Sequence, residues 1–220
     1  MARYLILGAG KFGRLALERL SALDAQAAFL VVDRRSQALT AARSLAPARA
    51  QWVEAEAGAF LLERWKNAGA WDWLIPAIPE HVAFSWLWRG PLAGRDWLVL
   101  EVPARLATLT PVAIRGRQGE LYLSRARHLC PDDCGEPQVC PATGELRETS
   151  LSEELAALEM PGYRIAVVSS RQLAPGVGGF SPERLAALAQ DLAGRGGKVL
   201  VATACRCHGV VHALERRSRE

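Results

Sequence analysis

All five cysteines of the chain fall into two groups that are far apart in the sequence. The first group lies in an irregular segment rich in proline, glycine and aspartate, and the second lies near the end of the chain. Thiolates grouped on irregular backbone are the ligands that a tetrahedral zinc ion or an iron–sulfur cluster requires. The candidate ligands are Cys130, Cys134, Cys140, Cys205 and Cys207, with His128 and His208 as weaker candidates.

Three interpretations of these cysteines stay open: a metal centre, a thiol redox pair, or inert thiols. An odd number of cysteines in a chain without an export signal argues against a disulfide framework. The spacing matches neither a zinc ribbon nor a ferredoxin run. Cys130-Pro131 and Cys140-Pro141 are steps of the kind found beside iron–sulfur clusters, which favours iron–sulfur slightly over zinc.

The second feature with chemical potential is the glycine-rich run Gly8-Ala9-Gly10-Lys11-Phe12-Gly13. Gly8 allows a tight turn, Gly10 lets the backbone approach a pyrophosphate, and Gly13 lets a helix pack close to a strand. Free N–H groups in the first turn of that helix attract phosphates. The run therefore predicts a dinucleotide site.

Asp33 bears on which dinucleotide would bind. It lies twenty residues after Gly13, and a carboxylate there accepts hydrogen bonds from the adenosine ribose. Asp33 favours NAD, whereas the neighbouring Arg34 and Arg35 could accommodate the 2′-phosphate of NADP. The predicted cofactor-binding residues are Gly8, Gly10, Lys11, Phe12, Gly13, Asp33 and Arg34.

Other polar residues are weaker candidates. His81 follows the predicted fourth strand, near the expected nicotinamide position, and is the one candidate general acid or base. His212 follows His208 by four residues on a predicted helix, so both could face one ligand. Arg171 lies in a loop over 169–179 that could bind an anion.

These residues must be positioned by strands and helices that alternate along the chain. Apolar runs predict strands over 3–7, 28–32, 51–53, 71–75 and 96–100, with helical patterns between them. This order predicts an α/β, Rossmann-like doubly wound and mostly parallel sheet. A β-hairpin over 111–123 and a cysteine-rich loop are inserted before a last βαβα unit.

The predicted division places a Rossmann NAD(P)-binding domain at 1–102. Residues 103–220 comprise the cysteine-rich segment (103–160) and the βαβα unit (161–220), which we expect to continue the same sheet. In that unit the last strand, 198–202, is followed by Cys205–His208 and a final helix. Because ligands bind at the carboxyl ends of parallel strands, the cysteines would then lie at the same edge as the glycine run.

Residues 4–33, from Tyr-Leu-Ile-Leu-Gly-Ala-Gly-Lys-Phe-Gly through Val-Val-Asp-Arg, resemble the TrkA-N or RCK-type nucleotide-binding domains of potassium-transport regulators. The resemblance extends loosely through 71–78 and covers the first hundred residues; the cysteine-rich half resembles no family that we recognise. It implies a Rossmann fold that binds NAD(H), with Gly8, Gly10, Gly13 and Asp33 at the phosphate and ribose positions.

The overall composition limits the classes of partner that the protein is expected to bind. The net charge is +4, and the basic residues are mostly arginines scattered along the chain apart from a short run at 216–219, so we expect no nucleic-acid binding. No apolar stretch reaches the length of a membrane span, and residues 1–13 do not form a signal peptide. We expect a cytoplasmic protein, with a homodimer left open.

Taken together, these features predict an NAD(P)-binding protein with a cysteine-ligated metal centre, as in an oxidoreductase with a small-molecule or protein redox partner. The alternative is an NAD(H)-sensing regulatory subunit of a potassium transport system. A third hypothesis, based on chain length and the N-terminal site, is a tetrapyrrole-modifying dehydrogenase.

Overall fold

The computed structural model describes residues 1–45 and 49–217, so the end of the basic run at 216–219 lies outside it. The first part of the chain alternates strands and helices. In chain order these are β1 (Arg3–Leu7), α1 (Lys11–Leu23), β2 (Ala28–Asp33), α2 (Ser36–Arg43), β3 (Ala50–Glu54), α3 (Ala57–Arg64), β4 (Trp73–Pro76) and α4 (Val82–Arg89).

The second part is richer in strands. Its elements are β5 (Trp97–Leu100), β6 (Val112–Arg115), β7 (Leu121–Ser124), α5 (Leu151–Ala157), β8 (Tyr163–Ser169), β9 (Arg171–Ala174), β10 (Val177–Gly179), α6 (Pro182–Gly194), β11 (Gly197–Ala204) and β12 (His208–Arg216). Short 3₁₀ helices span Trp65–Ala70 and Ala104–Thr108.

The first sheet contains four parallel strands in the order β3-β2-β1-β4. The central strand β1 is apolar on both faces, as a strand covered by helices on both sides requires. One face packs against α1 and α2, and the other packs against α3 and α4. Because β1, β2 and β4 are parallel, the glycine run, Asp33 and the segment after Pro76 meet at one edge.

The second sheet is mixed, with the order β6-β7-β12-β11-β8. Only β8 and β11 pair in parallel in this sheet, among the described residues. Strand β12 pairs with β11 on one side from Gly209 to Arg216. Its other side pairs first with β7 and then, further along, with β5.

The two sheets share one apolar core. A single cluster runs from Leu5 and Leu74 of the first sheet, through α3, α4 and α6, to Val199 and Val201 of the second sheet. The far face of the second sheet packs against α5 through Leu151. No helix in the described part of the chain has both the length and the apolar character that a membrane crossing requires.

A hairpin of β9 and β10 connects the two sheets at the edge where the predicted functional residues lie. Phe180, directly after β10, pairs with Leu74 of β4 through two backbone hydrogen bonds of 2.8 and 3.1 Å. This isolated bridge ties the end of the hairpin to β4 of the first sheet. Ala174 and Val177 contribute to the core that α1 covers, so the hairpin is fixed against the helix that begins at the glycine run.

The α/β class and the predicted hairpin over 111–123 agree with this architecture, but three topological predictions are wrong. The strands do not form one continuous sheet, because β5 to β8 join β11 and β12 in a second sheet, and β9 and β10 form a separate two-stranded hairpin. The predicted final helix is strand β12, which folds back on β11 through a tight turn at Cys205–Cys207. The loop predicted over 169–179 is largely the β9–β10 hairpin. The division into domains stays a prediction.

Candidate functional site

The glycine run makes close backbone contacts that only glycine allows. Gly8 has φ +109°, and a Cβ there would lie 2.6 Å from the carbonyl oxygen of Ala77. A Cβ on Gly13 would lie 1.9 Å from the carbonyl oxygen of Gly8. These two glycines let the first turn of α1 and the segment after β4 converge on the end of β1.

Gly10, unlike Gly8 and Gly13, is not crowded by backbone atoms. A Cβ there would meet only the guanidinium of Arg35, at 3.7 Å, so the space above it is open. Gly10 is the N-cap of α1, whose first turn contains no acidic residue. An open groove beside this helix start is lined by four cationic side chains, namely Lys11, Arg14, Arg34 and Arg35. Open backbone and positive charge are suited to an anionic group.

Asp33 is buried at the end of β2. Its carboxylate accepts hydrogen bonds from the Ala9 N–H at 2.8 Å and the Arg35 N–H at 2.9 Å, and it pairs with the Arg35 guanidinium at 3.2 Å. Burial alone would raise the pKa of the Asp33 carboxyl, but the bonds from Arg35 and Ala9 outweigh burial and lower that pKa. Asp33 is therefore an ionised group that fixes Arg35 beside the groove.

One cavity of about 470 Å³ joins the glycine run to the cysteines. Lys11 and Phe12 line one side, and all five cysteines, His128 and His208 line the rest. The cysteine-rich loop is held against α1 by an ion pair of 2.6 Å between Lys11 and Asp132. Arg19 also donates a hydrogen bond of 2.9 Å to the carbonyl oxygen of Asp132. The two groups of cysteines, distant in sequence, thus lie together beside the start of α1.

Four of the five thiols form one electrostatic group. After burial, the neighbouring thiols of Cys134, Cys207 and Cys140 raise the pKa of the Cys130 thiol. Among the described residues, no three cysteine sulfurs lie within 4.8 Å of one another. This group is therefore wider than the tetrahedron of a single zinc ion, whose sulfur ligands would lie about 3.8 Å apart.

Arg147 is buried beside these four thiols. Its guanidinium donates a hydrogen bond of 2.7 Å to the sulfur of Cys207. Its other ion-pair partner, Glu145, lies 3.3 Å away and is largely exposed. Burying a cation is costly unless negative charge lies close to it. Arg147 therefore places a positive charge against the sulfur of Cys207, although burial still raises the pKa of that thiol.

Cys205 belongs to a different group. Its thiol donates a hydrogen bond of 2.7 Å to the carboxylate of Glu136, and His208 Nδ1 lies 4.0 Å from the same carboxylate. Burial, followed by the charge of Glu136, raises the pKa of the Cys205 thiol to about 12. The ligand atoms of Glu136, Cys205 and His208 all lie within 4.8 Å of one another.

Two histidines considered in the sequence lie elsewhere. His81 is the N-cap of α4 and is buried between the sheets, where its Nδ1 lies 2.9 Å from Nδ1 of His212 and its Nε2 lies 2.9 Å from Thr203. Neither histidine lines the cavity. The prediction that His208 and His212 face one ligand on a helix is wrong, because both belong to strand β12 and His212 packs on Phe84. Arg171 is also absent from the cavity lining, in which Ser170 and Gln172 take part.

Sequence reasoning missed Glu136 and Arg147. Glu136 could have been found as a carboxylate between two cysteines of the same irregular segment, since such loops carry mixed metal ligands. Arg147 carries no local signal, because one arginine among many becomes notable only when its burial is known.

The chain belongs to the family of AF_1314_C, described as "Uncharacterized protein, C-terminal domain", whose model matches residues 70–217. A protein from Archaeoglobus fulgidus, named "Uncharacterized protein", is 30% identical over 231 residues, which cover 96% of this chain and 98% of the relative. No solved structure matches the chain.

The resemblance of the first hundred residues to TrkA-N or RCK domains is wrong, because the family that matches is a different one. The physical reason is that a glycine turn between two strands is a solution common to many nucleotide-binding folds. Thirty residues with this pattern do not distinguish between such folds. The sequence basis for a role in potassium transport is thereby removed.

Proposed function

We propose that this member of the AF_1314_C family is an NAD(P)H-binding oxidoreductase with an iron–sulfur centre held by Cys130, Cys134, Cys140 and Cys207. The observation that carries the proposal is the single cavity whose walls are the start of α1 and the cysteines. A dinucleotide bound at the glycine run would extend from the groove above Gly10 toward this cavity.

The nucleotide half rests on the first sheet. We interpret the order β3-β2-β1-β4 as one half of a Rossmann-like sheet, with the glycine run after β1 and the acid after β2. Arg35 pairs with Asp33 and lies beside the groove, together with three further cations. This positive lining favours a 2′-phosphate, so we expect NADPH to bind more tightly than NADH.

The metal half rests on the spacing and charge of the four thiols. Their separation exceeds that of a single-ion site, whereas an iron–sulfur cluster lies between its thiolates and holds them further apart. Four thiolates and an oxidised cluster give a net negative group, which the buried Arg147 would compensate. The hydrogen bond from Arg147 to Cys207 is also of the kind that tunes a cluster potential.

The combination has a clear chemical use. A nicotinamide gives up two electrons as one hydride, whereas an iron–sulfur centre accepts electrons one at a time, so transfer between them would need a flavin-type carrier that accepts the hydride, releases its proton and passes the two electrons on singly. Phe12 is exposed and lines the wall between the two predicted sites, so it would help to exclude water from the nicotinamide. The small-molecule or protein redox partner and the cytoplasmic location stay predictions.

Gly10→Ala tests the nucleotide half. The added methyl group has room in the free protein, but it would occupy the groove where the pyrophosphate must approach. We expect unchanged folding and at least a tenfold loss of NADPH affinity, measured by isothermal titration calorimetry. The matched control is Gly194→Ala, at the end of α6, where a Cβ meets nothing within 4 Å. Equal NADPH affinity in both variants, or none in the wild type, would refute this half.

Anaerobic purification tests the metal half. We expect iron and acid-labile sulfide in equal amounts, with broad visible absorption that a one-electron reductant such as dithionite bleaches. Cys207→Ser should lose the iron, whereas Cys205→Ser should keep it, because Cys205 is bonded to Glu136 and lies outside the four-thiol group. Protein without stoichiometric iron, or equal iron loss in both variants, would overturn the assignment.

A further inference from the structure

Glu136, Cys205 and His208 form a compact set of three different ligand types. Their ligand atoms lie within 4.8 Å of one another, unlike those of the four-thiol group. Carboxylate oxygen, thiolate sulfur and imidazole nitrogen are all ligands that zinc accepts, at about 2.0–2.3 Å. The three side chains also line the cavity, so one side of the set is open.

The backbone at Glu136 gives independent evidence that this carboxylate is held in place. Among the described residues, Glu136 is the one non-glycine residue with positive φ, at 48°. This left-handed conformation costs an ordinary residue about 1–2 kcal/mol. Its carboxylate is also fixed by the Arg206 N–H, at 3.2 Å. Backbone strain that orients a side chain into a cavity is typical of functional positions.

One turn delivers the other two ligands from a different part of the fold. Cys205 and His208 flank the tight turn between β11 and β12, and the Cys205 N–H donates a 2.9 Å hydrogen bond to the His208 carbonyl oxygen. The turn is therefore rigid before any ligand binds. Glu136 reaches it from the cysteine-rich loop, so the set also ties that loop to the second sheet.

We propose that Glu136, Cys205 and His208 bind one zinc ion, separate from the four-thiol centre, with a fourth coordination position open to the cavity. Three protein ligands and one open position are the arrangement of catalytic rather than structural zinc sites. The open position would take water or a small substrate with an oxygen or sulfur donor. The zinc would act on it as a Lewis acid beside the predicted nicotinamide site.

His208 would link the two centres. Its Nδ1 faces Glu136, and its Nε2 lies 3.9 Å from the sulfur of Cys130. A histidine that ligates zinc through one nitrogen donates its other N–H to a neighbouring acceptor. With zinc on Nδ1, the Nε2–H would be directed at the Cys130 sulfur of the four-thiol group.

Metal content of the full-length, anaerobically purified protein tests the zinc site. After dialysis against a weak chelator, we expect about one zinc per chain in the wild type. Glu136→Gln should lower zinc affinity at least tenfold while iron content stays unchanged. The matched control is Glu159→Gln, which removes a carboxylate that lines a different pocket and should keep both metals.

Cobalt supplies a readout that does not depend on activity. In a Cys207→Ser background without the iron centre, Co²⁺ should produce a thiolate-to-metal charge-transfer band, and adding Cys205→Ser should remove it. If Glu136→Gln were to lose both metals, the comparison of Co²⁺ spectra with and without Cys205→Ser would still show whether Cys205 ligates a separate metal ion. A wild type without zinc, zinc retained by Glu136→Gln, or a cobalt band that survives Cys205→Ser would overturn the proposal. A wild-type protein that contains zinc but no iron would refute the four-thiol assignment and would leave the zinc site supported.

Discussion

Replacing Gly13 with alanine tests how tightly α1 is packed against the end of β1. The new Cβ would lie 1.9 Å from the Gly8 carbonyl oxygen. Carbon and oxygen make ordinary contact at about 3.3 Å, so the first turn of α1 must shift by about 1.4 Å. The oxygen belongs to the backbone and the Cβ is attached rigidly to it, so neither atom can rotate away, and the shift would pull Ala16 and Leu17 away from the core.

The cost follows from two opposing effects. Overpacking at a site that cannot relax costs about 3 kcal/mol, and alanine in place of glycine within a helix recovers about 1 kcal/mol. The expected net loss is about 2 kcal/mol. For a chain of this size that corresponds to a Tm lower by about 6 °C.

Thermal unfolding followed by circular dichroism measures this loss. The matched comparison is Gly10→Ala, three residues earlier, where the new methyl group finds open space. Losing glycine at an N-cap costs less than 1 kcal/mol. A Gly13→Ala protein as stable as Gly10→Ala would refute the described approach of α1 to β1.

Three further predictions concern charge. Burial lowers the pKa of His212 from 6.5 to about 4, so the unfolded state binds more protons between these values. The contribution of neutral His212 to the free energy of unfolding is therefore fully present above pH 6.5 and falls by up to about 3 kcal/mol as the pH drops to 4. The free energy of unfolding of His212→Gln, measured by urea titration, should depend less on pH over this range. Arg147→Met removes a buried cation beside Cys207, so potentiometric titration should give a more negative reduction potential; an unchanged potential would contradict the four-thiol assignment. Arg35→Ala should weaken NADPH binding by roughly tenfold and NADH binding less, because a hydrogen bond to a charged group contributes about 1.5 kcal/mol.

The first four strands could be predicted from sequence because their signals are local. Short apolar runs, a glycine turn and an acid determine each βα step without reference to distant residues. The tight packing at Gly8 and Gly13 follows from the same local chemistry. The parallel order of the first sheet is then the simplest way to connect these steps.

Strand β12 shows why the remainder was not predictable. Its segment His208–Arg216 contains alanine, leucine, glutamate and arginine, which favour a helix, and an apolar centre that fits either structure. Pairing with β11, β7 and β5 decides in favour of a strand, and these partners are distant in sequence. One misassigned element then placed His212 in the wrong environment.

The cysteines illustrate the same limit at the site. The predicted topology placed Cys205–His208 at the same sheet edge as the glycine run, whereas the two features follow strands of two different sheets. The grouping of the thiols depends on Arg147, which contacts Cys207, and on Glu136, which contacts Cys205. Both residues lie in loops without a periodic sequence pattern. Local sequence patterns identify candidate ligands, but tertiary contacts determine which of them lie together.

The central position of β12 has a consequence for assembly. Its partner β5 lies more than one hundred residues earlier in the chain, and contacts of such long range form slowly. The turn that contains Cys205 and Cys207 can take its place only when β12 docks between β11 and β7. Until then the cysteine-rich loop faces an open gap. We therefore expect metal to be acquired at the end of folding, so that a loaded centre marks a chain whose second sheet has closed.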